Sequence, residues 1–231
     1  MNWLLILVLV VFVGCAMNGR RRGFIKTVFT LFSTIVALIL TMWISPVVSK
    51  QVQNNDKIMG SVTEKVSKVI KFNDMGDKKS DQVNFIDKLP LPKNMRNTLI
   101  KNNNTDSYGA MAVDNFKDYV SNAIARIIIN AAVFLLIMLI ITIGLAVLCQ
   151  ALNIISKLPI INGLNKTAGL FAGLIHGVII IWIGCIFLTM LSSTNLGQEM
   201  FKQINESPFL GTIYNNNLLL NFIVNLGATL F

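Results

Sequence analysis

Four long stretches of this chain carry no Asp, Glu, Lys or Arg, and that limits the fold more than any motif does. They run Met1 to Gly19, Thr27 to Ser49, Ile127 to Ser156 and Thr167 to Gln198. A helix needs about 20 mostly apolar residues to cross about 30 Å of hydrocarbon, so each stretch predicts one membrane-spanning helix. The first is near the lower limit. The last two exceed the requirement, so they must tilt or continue as helix beyond the lipid, and neither is long enough to cross twice. Composition agrees, with 54% hydrophobic and only 13% charged residues, where a soluble domain carries about 25% charged. The expected fold is all-α, a polytopic membrane bundle of about four transmembrane helices with a partly helical extracytoplasmic loop. The expected organisation is two helices over 1–49, a polar loop over 50–125, two helices over 126–198 and an amphipathic tail over 199–231.

The polar loop holds its own helical signals. Ile58, Val62, Val66 and Val69 recur at helical spacing beside Lys57, Glu64, Lys65, Lys68 and Lys71, which predicts an amphipathic helix. Its apolar face can pack on the rest of the loop or lie on the membrane surface. Asn73 to Gln82 reads as a mobile polar stretch. Leu89 to Pro92 forces an extended step, after which Pro92 can open a short helix carrying Met95, Leu99 and Ile100. Val113, Phe116, Val120 and Ile124 then lead without a breaker into the third span, so one long helix runs from loop into membrane.

Orientation follows from the short connections. Arg20, Arg21, Arg22 and Lys26 form a membrane-boundary basic cluster without an acid, and Lys157 to Lys166 carries two lysines without an acid. Basic side chains in short loops stay cytoplasmic. Both termini and the long loop are therefore expected outside the cytoplasm. The long loop carries thirteen basic and nine acidic side chains, but long segments translocate largely regardless of charge. The net charge of +9 is placed for a bilayer containing anionic lipid, not for nucleic acid, because its densest cluster sits at a membrane boundary.

Within the spans the most specific pattern is Gly169, Gly173 and Gly177, four residues apart, with Ala168 and Ala172 alongside. Such a strip lets another backbone approach closely where lipid gives no hydrophobic drive for association. It can serve packing within one subunit or a homo-oligomer interface, and Gly184 extends the same face. Gly14 stands in a span read as lacking repeated small residues, so its position is expected to face lipid. His176 is the only histidine and lies inside the strip. With Asn130 it is the candidate polar intramembrane site. A proton or substrate path is one reading, and an imidazole bonded to a neighbouring helix is the other. Asn130, Asn153 and Asn162 are candidate partners.

The sequence offers no motif for catalysis, metal or cofactor binding, so no enzyme is expected. Cys15, Cys149 and Cys185 stand singly in apolar stretches and read as small packing residues. Phe12 to Cys15 has some likeness to a lipoprotein processing site, but no basic segment precedes it. Asn103, Asn165 and Asn205 open glycosylation-type triplets, which an asparagine-rich chain produces by chance.

Taken in order, several segments resemble the colicin V production protein family, CvpA. They are Asn2, Trp3 and Leu4; Arg22 to Lys26 opening the second span; Lys157, Leu158 and Pro159; Leu164 to Lys166 with the glycine strip; and Glu206 to Phe209 with Ile213, Tyr214 and Asn217. Leu5 and Ile6 stand where relatives often carry an acid, and His176 where they often carry an arginine. The resemblance implies an inner-membrane accessory protein, partnered by itself or by an export system, in production or export of a peptide toxin and in envelope maintenance. A small transporter or channel with a polar path near His176 is the alternative.

Overall fold

The computed structural model describes residues 2–70, 72, 78–151 and 164–229. Among them the chain forms helices and no strand: α1 (Trp3–Arg22), α2 (Phe24–Gln53), α3 (Asp56–Val69), α4 (Lys79–Lys88), α5 (Lys93–Lys101), α6 (Thr105–Met111), α7 (Phe116–Ala151), α8 (Leu164–Met190), α9 (Asn195–Glu206), α10 (Pro208–Asn215) and α11 (Leu218–Thr229). Four are long and apolar enough to cross a membrane, namely α1, α2, α7 and α8 from Asn165. The all-α membrane fold read from the sequence is the fold observed. At about 1.5 Å per residue α2 and α7 are about 45 and 54 Å long, so the excess over the lipid continues as helix.

The fourth apolar run is longer than its helix. Helix α8 stops at Met190, and Thr194 then caps α9 by accepting the Gly197 amide at 3.0 Å. Ser192, Ser193 and Thr194 keep the sequence uncharged while supplying turn and cap chemistry. Hydropathy alone therefore carries the span eight residues too far.

The chain divides into two compact units. The first comprises Met1–Ser45 and Phe134–Gly184, and the second Pro46–Val133 and Cys185–Phe231. The boundary along α2 falls at Pro46, which lacks the N–H that would bond the Met42 carbonyl.

In the first unit large apolar side chains point away from the protein. Trp43 is 74% exposed and Ile140 is 68% exposed, and Val10, Phe32 and Phe171 are similarly bare. So many bare, large apolar side chains are costly against water, whereas lipid solvates them. The protein is an integral membrane protein.

The second unit is built the opposite way. The first half of α7 is buried, with Phe116, Tyr119, Val120, Ile124, Ile127 and Ile128 facing protein. Loop and tail join in one core. The Tyr119 hydroxyl donates to the Leu99 carbonyl at 2.7 Å, tying α7 to α5. Asn94 on α5 meets α11 through Asn221 at 3.2 Å and α10 through Asn215 at 3.4 Å. The predicted amphipathic helix is α3, capped by Asn55, and it turns Val66 into the core while Ile58 stays exposed. At the step, Leu89 and Pro92 are extended as expected, but between them the chain turns, the Leu91 amide donating to the Leu89 carbonyl at 2.7 Å, and Arg96 Nη1 holds the turn by donating to the Leu91 carbonyl at 2.8 Å. Helix α4 begins inside the stretch read as a mobile polar segment, of which residues 73–77 lie outside the described residues.

Candidate functional site

The glycine strip of α8 meets a matching strip on α1. A methyl group at Gly169 would fall on the Gly19 carbonyl oxygen and 2.8 Å from the Gly23 carbonyl carbon; one at Gly173 would fall on the Cys15 carbonyl oxygen and 3.1 Å from Ala16 Cα. Gly19 answers from the other side, where a methyl would strike the Gly169 carbonyl oxygen and lie 2.8 Å from Gly173 Cα. Backbone thus rests on backbone, the geometry for which small residues in membranes are suited. Gly177 extends the seam to Cys15, where a methyl at Gly177 would lie 3.2 Å from the Cys15 Cβ. Ala172 is buried and Ala168 half-buried. Gly184 has open space beside it and lies outside the seam, as does Gly14. The first span therefore does carry repeated small residues: Cys15, Gly19 and Gly23, four apart, with Ala16. The expectation that it lacks them is corrected here, while lipid-facing Gly14 keeps its place.

At the end of the seam Gly23 separates α1 from α2 with φ of +80°, a conformation that glycine adopts without strain. The tight joint leaves the first amides of α2 without partners in their own helix. Asn165, in the first turn of α8, supplies one: its Oδ1 accepts the Phe24 amide at 2.7 Å and the Ile25 amide at 3.4 Å. A Cβ at Gly23 would come within 2.6 Å of the Asn165 side chain. Arg20, Arg21 and Arg22 occupy the last turn of α1, where cations complement the helix dipole. All three are exposed and Lys26 is half-buried.

His176 lies about three turns beyond Asn165 along α8. Its Nε2 is 3.3 Å from Thr34 Oγ1, and that hydroxyl also donates to the Thr30 carbonyl at 2.9 Å. A hydroxyl has one proton, so Thr34 accepts from His176 and the Nε2 tautomer carries the hydrogen. The reading of an imidazole bonded to a neighbouring helix is the one the geometry fits, with Thr34 as a partner the sequence did not single out. A cavity of about 60 Å³ adjoins it, bordered also by Asn18, Arg22 and Thr30.

Asn130 belongs to the second unit and has other partners. Its Oδ1 accepts from Gln53 Nε2 at 2.6 Å, its Nδ2 donates to the Ile223 carbonyl at 3.4 Å, and Arg126 Nη1 donates to Gln53 Oε1 at 3.1 Å. These bonds tie α2, α7 and α11 through groups that are costly to bury unpaired. Asn153 and Asn162, the other candidate partners of His176, lie outside the described residues.

The family model described as Colicin V production protein matches residues 5–73 and 107–217, stretches that include both sides of the glycine seam. The chain belongs to the colicin V production protein family. In this CvpA-family protein the matched stretches also hold both partners of the Asn165 cap and of the His176–Thr34 contact. Residues 74–106, which include α4 and α5, lie outside the match. No curated protein and no solved structure matches the chain.

Proposed function

We propose that this CvpA-family protein is a non-enzymatic accessory protein of the bacterial cytoplasmic membrane, serving production or export of a peptide toxin and maintenance of the envelope. Family membership carries the reading. The packing supports it, because polar side chains in the first unit are spent on cohesion. Thr27 donates to the Gly23 carbonyl at the α1–α2 joint, Thr30 to a carbonyl of its own helix, His176 joins α8 to α2, and Asn165 caps α2. Its partners are anionic lipid, an export-system protein or a second copy of itself. The proposed orientation puts Arg20 to Arg22 in the cytoplasm and the second unit with both termini outside. Deleting the chain from its host should leave toxin precursor in the cell and reduce secreted growth-inhibiting activity. Unchanged secretion would remove the export role.

The rival reading is a small transporter or channel, favoured by the cavity of about 60 Å³ beside His176, room for about two waters at ~30 Å³ each. In liposomes a solute or ion flux abolished by His176→Leu would establish transport, while absence of flux for every tested solute would favour the accessory role.

A further inference from the structure

The stretch outside the family match builds one wall of a cavity of about 520 Å³ in the second unit. That size falls within the range of small-molecule sites, roughly 300–1,000 Å³. Helix α4 supplies Asp81, Phe85 and Lys88 to this wall, and Val66, Ile124 and Ser192 line it from other elements. Ser192 is 5% exposed and its Oγ has no hydrogen-bond partner among the described residues. Leaving a buried hydroxyl unpaired is costly, so the position favours an occupant that bonds it.

The charges on α4 narrow the class of that occupant. Asp81 and Lys88 are seven residues apart, which places them on one helix face about 10 Å apart along the axis. Phe85 lies between them. Neither makes an ion pair among the described residues, and Asp81 accepts only a 3.4 Å contact from the Ser80 hydroxyl. An acyl chain would fill the apolar part but offer neither Asp81 nor Lys88 a partner of opposite charge. A molecule with a cation at one end, an anion at the other and apolar groups between answers all three. An extended peptide advances about 3.3–3.6 Å per residue, so about three residues bridge the distance.

We propose that this cavity binds a short apolar peptide with free termini. Its ammonium sits at Asp81, its carboxylate at Lys88, its side chains against Val66, Phe85 and Ile124, and one backbone group on the Ser192 hydroxyl. The inference is independent of any role in toxin export.

The test is calorimetric titration of the full chain in lipid nanodiscs, where no detergent competes for the apolar cavity. Tri-leucine with free termini should bind at one saturable site. Acetylated tri-leucine amide should bind about three- to tenfold more weakly, as should tri-leucine to Asp81→Lys or Lys88→Glu, since partly exposed ion pairs are modest. Ile124→Trp should remove binding by filling the cavity. If that variant does not fold, the two charge reversals at the rim still decide the matter. No binding of tri-leucine at millimolar concentration, equal binding of the capped peptide, or indifference to both reversals would overturn the proposal. Saturation by octyl glucoside but not by the peptide would overturn it in favour of an amphiphile site.

Discussion

Asn165 caps a helix that begins 141 residues earlier, its Oδ1 accepting the Phe24 amide at 2.7 Å. Asn165→Ala leaves that amide without its acceptor, and loss of an N-cap typically costs about 0.5–2 kcal/mol. Asn165→Asp keeps an acceptor and puts a negative charge at the helix N-terminus, so its loss should be smaller. Chemical unfolding of the purified protein should rank wild type, Asp, then Ala. Equal stability of Ala and wild type would show that the cap contributes nothing.

Gly173 and Gly14 should respond oppositely to bulk. Gly173→Leu drives a side chain into the Cys15 carbonyl and the Ala16 backbone, whereas nothing lies within 4 Å of a Cβ at Gly14. Overpacking costs about 1–3 kcal/mol, so Gly173→Leu should lower the thermal stability of the purified monomer and Gly14→Leu should not. A stable Gly173→Leu monomer that has lost only self-association would instead make the strip a subunit interface.

Two contacts within the units bear on topology. Asn165 brings the start of α8 to the α1–α2 joint, and Asn94 on α5 joins the loop to the tail through Asn215 and Asn221. With Cys15, Cys149 and Cys185 replaced by alanine, Lys78→Cys and Lys202→Cys should label together with an impermeant reagent from outside the cell. Arg21→Cys should label only after permeabilisation. The reverse pattern would invert the proposed orientation while leaving the fold intact.

Tyr214 should give the alkaline limb of stability a measurable component. Its buried hydroxyl lies 2.6 Å from Thr189 Oγ1 and 3.7 Å from Met95 Sδ. Burial raises its ionisation above the usual range, with the Thr189 hydrogen bond opposing. Because the folded pKa exceeds the unfolded value of about 10, the associated stability is complete below that pH and is lost as pH rises beyond it. Tyr214→Phe should be less stable than wild type by about 1–2 kcal/mol near neutral pH, and the gap should narrow above about pH 10. A gap that stays constant across that range would exclude the linkage.

The four spans, the long α7, the helix break at Leu89 to Pro92 and amphipathic α3 were legible in the sequence, because each depends on local properties. Lipid solvation follows from a run of apolar side chains, and a proline restricts its own backbone and that of its neighbour. Tertiary structure decided what each surface meets. The strip on α8 could have faced another subunit, and the small residues that receive it on α1 were obscured by a cysteine at one of three positions and by the helix break at Gly23. Asn165 and Thr34 looked like ordinary polar residues until the fold placed an amide and an imidazole beside them. Joining of the loop to the tail, and with it the cavity between α4 and Ser192, was equally hidden, since the side chains that make it are more than a hundred residues apart and nothing in the spacing of either segment names the other.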